Sequence, residues 1–383
     1  MKKIFYWGPF IDKEIATVKA IYNSANGLKN FFNIHDVKIV NSIGEWNFKI
    51  RPEIENLFLN TNFNYAKKLP KNGYFKSRVS FIIIFFTCFF QIKNILKKHE
   101  PDYFIAHLLV SLPMLLFKLF NFKSKLIIRI SGKPKLNILR KIFWQFTSNN
   151  VYKIFCPTEE TRDFLISNNI YKKEKVFVLR DPVLDLENLR NKKNKKDFQE
   201  KFEKENIILA GRLTKQKNFD LIIDVFEKNQ YLREKYKVFI FGDGELKNKL
   251  ANKIITKKLN NKIFLMGHVK NIYKYMRNSK LFILTSLWED PGFVIVEAAF
   301  CNLSIIASDC QSGPSEILSK NKLGGYLFKN NDVHDLNNKI NEFFNEKNEI
   351  IYQQKLYSKK RIKEFTIFNH VKKLIKIFEE NLN

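Results

Sequence analysis

The sequence predicts an α/β protein built as two doubly wound, Rossmann-like domains facing a cleft. Two observations lead there. Short strand-like runs alternate with helical ones along most of the 383 residues, the pattern of βαβ units and parallel sheets. The alternation breaks once, at Asn188-Leu-Arg-Asn-Lys-Lys-Asn-Lys-Lys-Asp197, which is polar, basic and without an apolar period. A chain of this length is expected to form two domains of about 180 residues each. Its hydrophobic fraction of 45% is enough for two ordinary cores.

Before the break, strands are expected at Lys3–Tyr6, Val37–Val40, Tyr103–Ala106, Leu126–Ile130, Lys153–Cys156 and Lys175–Leu179. The Thr158 hydroxyl is placed to cap a helix over Glu159–Ser167. After the break the strands are Asn206–Ala210, Val238–Gly242, Ile263–Met266, Leu281–Thr285 and Leu303–Ala307. This gives a first domain over 1–187, a linker over 188–204, a second domain over 205–355 and a charged helical tail over 356–383. Open sheets of this kind bind ligands at the carboxyl ends of their strands.

The formal net charge is +29, and it is unevenly spread. From Tyr103 through Thr158 there is no Asp or Glu, against nine Lys or Arg interleaved with Phe117, Phe120, Phe122, Phe143, Trp144 and Phe146. An anionic membrane surface is one explanation, since basic residues meet headgroups and aromatics enter the headgroup layer. An AT-rich coding bias toward Lys, Asn, Ile and Phe is another. Nucleic acid is not the expected partner, because no RNA-module or zinc-finger signature is present. Cys88, Cys156, Cys301 and Cys310 lack metal spacing and disulfide density, so each is expected as a small buried hydrophobe in a reducing compartment. The N-terminus meets Gly8-Pro9 too early for a signal-peptide core. The longest apolar run, Val79–Phe90, is shorter than the roughly 20 residues a spanning helix needs. It reads as a buried or membrane-dipping helix in a cytoplasmic protein, with peripheral attachment to the inner membrane face.

One strand end carries a pair of carboxylates. After the buried strand Lys280–Thr285 comes Ser286-Leu-Trp-Glu289-Asp290-Pro291-Gly292-Phe293-Val-Ile-Val-Glu297-Ala-Ala299. Asp290 is expected as N-cap and Pro291 as first helical residue, placing Glu297 about two turns into the helix. A helix N-terminus offers free N–H groups and partial positive charge, which suits a phosphate. Carboxylates beside an anion site suit the gripping of sugar or ribose hydroxyls.

The arrangement resembles the paired-glutamate motif of family 4 retaining glycosyltransferases, which have the GT-B fold. Glu289, Gly292 and Glu297 match the family's Glu-Gly-Phe-Gly, hydrophobic run and second Glu. Asp290-Pro291 replaces the Gly-Phe pair, and Pro291 has no N–H to offer a ligand.

The resemblance assigns roles at further strand ends. In Gly211-Arg212-Leu-Thr-Lys-Gln-Lys217-Asn218, Arg212 and Lys217 would clamp a donor diphosphate and Gly211 would allow the turn. Gly242 and Gly244 would form a nucleotide-facing loop, Val269 would lie by the nucleoside base, and Gly292 with Phe293 would open the helix toward the diphosphate. Glu289 would hold the donor sugar's hydroxyls and Glu297 the ribose. In the first domain, His107 ends a strand as the family's His does and would orient sugar hydroxyls or assist proton movement. Gly8 would approach the ligand by its backbone, Arg129 and Gly132 would line the acceptor side, and the tail would cross back to the first domain.

No Asp-x-Asp metal motif occurs in the chain. The expectation is a retaining, metal-independent, hexosyl-type glycosyltransferase with a nucleoside diphosphate sugar as co-substrate and no cofactor. Its acceptor would be a glycan or lipid-linked glycan in cell-envelope polysaccharide or lipopolysaccharide synthesis. Two rivals remain: a GT-B sugar-nucleotide epimerase or phosphorylase-like enzyme, and a non-catalytic basic protein that binds membrane or RNA.

Overall fold

The computed structural model describes residues 2–11, 16–34, 36–47, 57–70, 74–194, 205–289 and 291–379. The chain divides into two compact units, Met1–Val183 with Phe365–Asn383, and Leu184–Glu364.

The first unit runs β1 (Ile4–Trp7), α1 (Ala16–Phe32), β2 (Val37–Asn41), β3 (Phe58–Asn60), α2 (Tyr74–His99), β4 (Tyr103–His107), α3 (Ser111–Leu119), β5 (Lys125–Arg129), α4 (Ile138–Thr147), β6 (Lys153–Cys156), α5 (Glu159–Ser167) and β7 (Val176–Val178). Its seven strands are all parallel, in the order β3-β2-β1-β4-β5-β6-β7. Ile4 of β1 stands opposite both Val37 and Tyr103. Nearly every strand position is buried, because helices cover both faces and leave no wet side to alternate with. On one face Ile84, Cys88 and Ile92 of α2, Leu116 of α3 and Trp144 of α4 form the core. On the other, Ile21 and Leu28 of α1 pack with Val371, Leu374 and Phe378 of the terminal helix Ile367–Glu379. Phe378 stacks on Tyr103 with ring centroids 4.1 Å apart, and the Lys153 ammonium donates to the Ile377 carbonyl at 2.8 Å. Thr158 caps α5, its hydroxyl accepting from the Thr161 N–H at 3.1 Å.

The second unit opens with α6 (Leu186–Asn194) and continues β8 (Ile207–Ala210), α7 (Asp220–Lys228), α8 (Gln230–Lys235), β9 (Val238–Phe241), α9 (Lys247–Thr256), β10 (Ile263–Gly267), α10 (Tyr273–Arg277), β11 (Leu281–Leu284), α11 (Phe293–Phe300), β12 (Ser304–Ser308), α12 (Pro314–Leu318), β13 (Tyr326–Phe328), α13 (Val333–Phe344) and α14 (Asn348–Arg361). Its sheet is six parallel strands in the order β10-β9-β8-β11-β12-β13. In both sheets the order reverses direction once, between β1 and β4 and between β8 and β11. Such a reversal leaves a crevice at the carboxyl ends of the two strands that flank it.

The expected linker is corrected in part. Residues 186–194 form helix α6, which packs on α10 within the second unit, while 195–204 lie outside the described residues. Helix α14 also belongs to the second unit, so the chain returns to the first at Phe365 rather than 356. Because the terminal helix fills one face of the first core, Leu374→Ala should destabilise that unit by about 2–5 kcal/mol. Urea unfolding followed by tryptophan fluorescence checks this. A loss well below about 1 kcal/mol would contradict the docking.

Candidate functional site

In the second unit the basic loop and the glutamate loop follow neighbouring strands, β8 and β11. Their joint is an ion pair between Lys217 Nζ and Glu289 Oε1, with side chains only 15% and 6% exposed. Ser286 Oγ donates to the same Glu289 oxygen at 2.5 Å. Thr285 Oγ1 donates to the Lys217 carbonyl at 2.8 Å, and the Leu287 N–H to the Gln216 carbonyl at 2.8 Å. Gln216 closes the joint by donating from Nε2 to the Trp288 carbonyl at 2.9 Å. Glu289 Oε2 has no hydrogen bond among the described residues, so one carboxylate oxygen stays available to a ligand hydroxyl.

Lys217 therefore has a protein partner that the sequence did not suggest, while Arg212 is exposed and forms no ion pair among the described residues. The loop that carries Arg212 is fixed by its backbone. The Leu213 N–H donates to the Asp243 carbonyl and the Leu246 N–H to the Leu213 carbonyl, both at 2.9 Å. A Cβ on Gly242 would fall 1.9 Å from the Gly211 carbonyl oxygen, so the loops after β8 and β9 touch backbone to backbone. A Cβ on Gly244 would fall 2.5 Å from the Leu213 carbonyl oxygen, and Val269 is half-buried just beyond β10.

The helix start expected at Asp290-Pro291 is corrected. Asp290 lies outside the described residues, Gly292 is the N-cap, and α11 begins at Phe293. Gly292 takes φ +84°, a left-handed conformation in which a side chain would also crowd Glu289. Glu297 consequently sits one turn into the helix instead of two. Its Oε1 accepts from the Tyr273 hydroxyl at 2.6 Å. Burial and the Glu297 charge both raise the Tyr273 pKa, which keeps it a neutral donor. Tyr273 and Ser286 are the residues that sequence reasoning missed. Ser286 stood beside the motif, but Tyr273 carried no signal that separates it from a core aromatic.

The first unit differs. Gly8 does sit at its reversal point, where an added Cβ would lie 3.0 Å from the Cβ of His107. His107, however, is only 5% exposed. It lines a cavity of about 10 Å³ with Tyr6, Ser24, Arg129, Asp181 and His370, room for no more than one water. Burial, then Arg129 and His370, hold its pKa well below the ordinary imidazole value. Arg129, expected on the acceptor side, is buried and donates to Asp181 Oδ1 at 2.6 Å from Nη2 and 3.1 Å from Nε. Within this unit both His107 and Arg129 are therefore buried, and Arg129 is paired with Asp181. Gly132 lies in the bend after β5, half-buried.

Comparison with known proteins follows the same division. Residues 191–363, nearly the whole second unit, match the model for "Glycosyl transferases group 1". An uncharacterized glycosyltransferase of Methanocaldococcus jannaschii is 29% identical over 331 residues, covering 80% of this chain and 77% of that one. An N-acetylgalactosaminyltransferase of Campylobacter jejuni, named for an oligosaccharide acceptor on diphospho-undecaprenol, is 29% identical over 304 residues, 78% of this chain and 80% of that one. The crystal structure of Anabaena HepE in complex with UDP superposes with a TM-score of 0.74 at 14% identity, covering 99% of this chain and 100% of that one. That likeness shows the fold, the two Rossmann-like units of GT-B glycosyltransferases. The matched segment contains Arg212, Lys217, Glu289 and Glu297, whereas His107 and Arg129 lie outside it.

The polar core of the first unit has a pH signature. His370 Nδ1 is 2.6 Å from the Arg180 carbonyl and Nε2 is 2.8 Å from Ser24 Oγ, which suits one neutral tautomer. Burial lowers its pKa from 6.5 to about 4. A histidine kept neutral in the fold contributes stability that is full above the unfolded pKa and is lost as pH falls through 6.5 toward 4. The loss should approach about 3 kcal/mol. In denaturant titrations across this window, His370→Asn should remove that part of the pH slope. Parallel slopes for the two proteins would contradict the assignment.

Proposed function

We propose that this chain is a retaining glycosyltransferase that needs no metal and moves a sugar from a nucleoside diphosphate sugar to a glycan or lipid-linked acceptor. The supporting observation is the Lys217–Glu289 joint between the loops after β8 and β11, with exposed Arg212 in the first of these loops and Glu297 on α11. Breaking a donor's glycosidic bond develops negative charge on the diphosphate and positive charge on the sugar. Arg212, with Lys217 shared between Glu289 and phosphate, would meet the first; preorganised cations of this kind contribute a few kcal/mol each. The open oxygen of Glu289 would hold sugar hydroxyls. Glu297, steadied by Tyr273, would hold the ribose, and the N–H groups at the start of α11 would face the diphosphate.

In the proposed reaction an acceptor hydroxyl attacks the anomeric carbon on the face from which the diphosphate leaves. The carbon–oxygen bond to the β-phosphate breaks, the new glycosidic bond forms on that face, and a phosphate oxygen takes the hydroxyl proton. Configuration is kept. The UDP bound to HepE favours a uridine nucleotide, and the acceptor named for the Campylobacter relative favours a lipid-diphosphate-linked glycan. Cell-envelope polysaccharide or lipopolysaccharide assembly is the proposed setting, and the inner membrane face the proposed location.

Calorimetric titration with UDP in EDTA, beside turnover of a UDP-sugar, tests this. Arg212→Ala should lower turnover by about 10²–10³-fold. Glu297→Gln should weaken UDP binding about tenfold or more with an unchanged melting temperature. UDP affinity that neither substitution alters, or that requires a divalent metal, would overturn the assignment.

A further inference from the structure

Helix α2 carries two stripes. Ile84, Cys88 and Ile92 are buried in the first core, while Val79, Ile83, Phe86 and Phe90 follow one another on the opposite side in the open. Phe86 is 70% exposed. Helix α4 repeats the arrangement, with Trp144 and Thr147 inside and Ile138, Ile142 and Phe146 outside, Ile138 at 78% exposure. Helix α3 packs between them. Lys93 of α2 places its ammonium 4.0 Å from the ring centre of Phe120, just past α3, and 5.9 Å from that of Phe90. Lys118 of α3 lies 4.4 Å over Phe146 of α4. The two exposed stripes are therefore parts of one surface, stitched by ammonium groups that lie on aromatic rings.

Large apolar side chains at this exposure are costly unless something covers them. The charge around them says what. Between positions 56 and 158 the chain has seventeen Lys or Arg and two acids, Glu100 and Asp102. Even those two are engaged: Glu100 with Lys123 at 2.9 Å, and Asp102 with the Lys3 N–H at 2.6 Å. On α2 the exposed apolar stripe runs directly into Lys93 and Lys97, and α4 carries Arg140 and Lys141 beside its own. A second copy of the same face would bring like charges together. A lipid surface with anionic headgroups complements both features, taking the ammonium and guanidinium groups at the phosphates and the aromatic and aliphatic side chains just below.

We propose that the outer faces of α2, α3 and α4 form a docking surface for an anionic lipid bilayer. Arg78–His99 is long and apolar enough to cross a membrane by length and composition, but its inner stripe is the core of the first unit. It therefore meets the bilayer along its side. The surface lies wholly in the first unit and does not depend on the transferase reading.

Flotation of the full chain with vesicles tests it. Vesicles of phosphatidylcholine with about 30% phosphatidylglycerol should bind at least about tenfold more strongly than phosphatidylcholine alone. Phe86→Ser with Phe90→Ser, and separately Ile138→Ser with Ile142→Ser, should each weaken that binding about tenfold. Their melting temperatures should be unchanged, since these side chains lie outside the core. Lys97→Glu with Arg140→Glu should weaken it similarly. Equal binding to neutral and anionic vesicles, or none to either, would overturn the proposal. So would serine variants that bind like wild type while the glutamate variant fails, which is the behaviour of a plain polyanion surface. A wild-type dimer in sedimentation that the Phe86→Ser, Phe90→Ser variant dissolves would assign the face to a second copy instead.

Discussion

The ion pair between Lys217 and Glu289 joins two loops seventy-two residues apart in the chain, at the one place in the six-stranded sheet where strand order reverses. A buried charge that loses its partner typically costs about 3–5 kcal/mol, because water no longer reaches it. The pair also fixes what surrounds it: Ser286 bonds to the same carboxylate oxygen, and Thr285 bonds to the Lys217 backbone. Gly292 folds the chain around Glu289 before α11 begins. The result is a rim with a lysine paired to a glutamate, an exposed arginine and two carboxylates that each, among the described residues, keep one oxygen without a hydrogen bond. Such a rim suits a ligand that is anionic at one end and rich in hydroxyls at the other.

The two units treat their charges in opposite ways. At the second unit's strand ends, Arg212 reaches solvent. In the first unit the corresponding cation, Arg129, is sealed against Asp181, and the nearby histidines are kept neutral by burial. The polar chain there runs from Tyr6 through Ser24 and His370 to the Arg180 carbonyl, tying the terminal helix to α1 and the loop after β7. The first unit's unspent chemistry lies on its outside, where apolar stripes and lysines share a surface.

Much of this was legible in the sequence, for identifiable reasons. Eleven of the thirteen strands among the described residues were visible because apolar runs of four or five residues stand out between polar helical stretches. β3 and β13 have apolar runs of only three residues, whereas the run at β7 continues through Leu179. Helix α6 was hidden because its Leu-Glu-Asn-Leu-Arg-Asn-Lys-Lys-Asn sequence has few apolar residues to set a period, and it is held by packing on α10. The start of α11 was misplaced by a sound local rule. Asp-Pro normally opens a helix, but here the Pro291 carbonyl is pressed against Gly313, where an added Cβ would lie 2.2 Å away, and the turn falls to Gly292. The carboxylates of the second unit stand out by their spacing, and Arg212 and Lys217 by the family resemblance. Their partners do not, because Lys217–Glu289 and Tyr273–Glu297 span 72 and 24 positions, and only the fold brings them together. Arg129 shows the converse limit, since a cation at a strand end looks the same in sequence whether it faces a ligand or a buried aspartate.

The central claim is that Lys217 and Glu289 act as one unit in holding the donor. A double-mutant cycle on UDP-sugar affinity, with Lys217→Met, Glu289→Gln and the pair together measured by calorimetry, tests it most directly. The account predicts a coupling energy of at least about 1 kcal/mol, with the double variant binding far better than the sum of the single losses implies. Strictly additive losses would mean that the two residues serve the ligand independently and that the joint between the strands is not what organises the site.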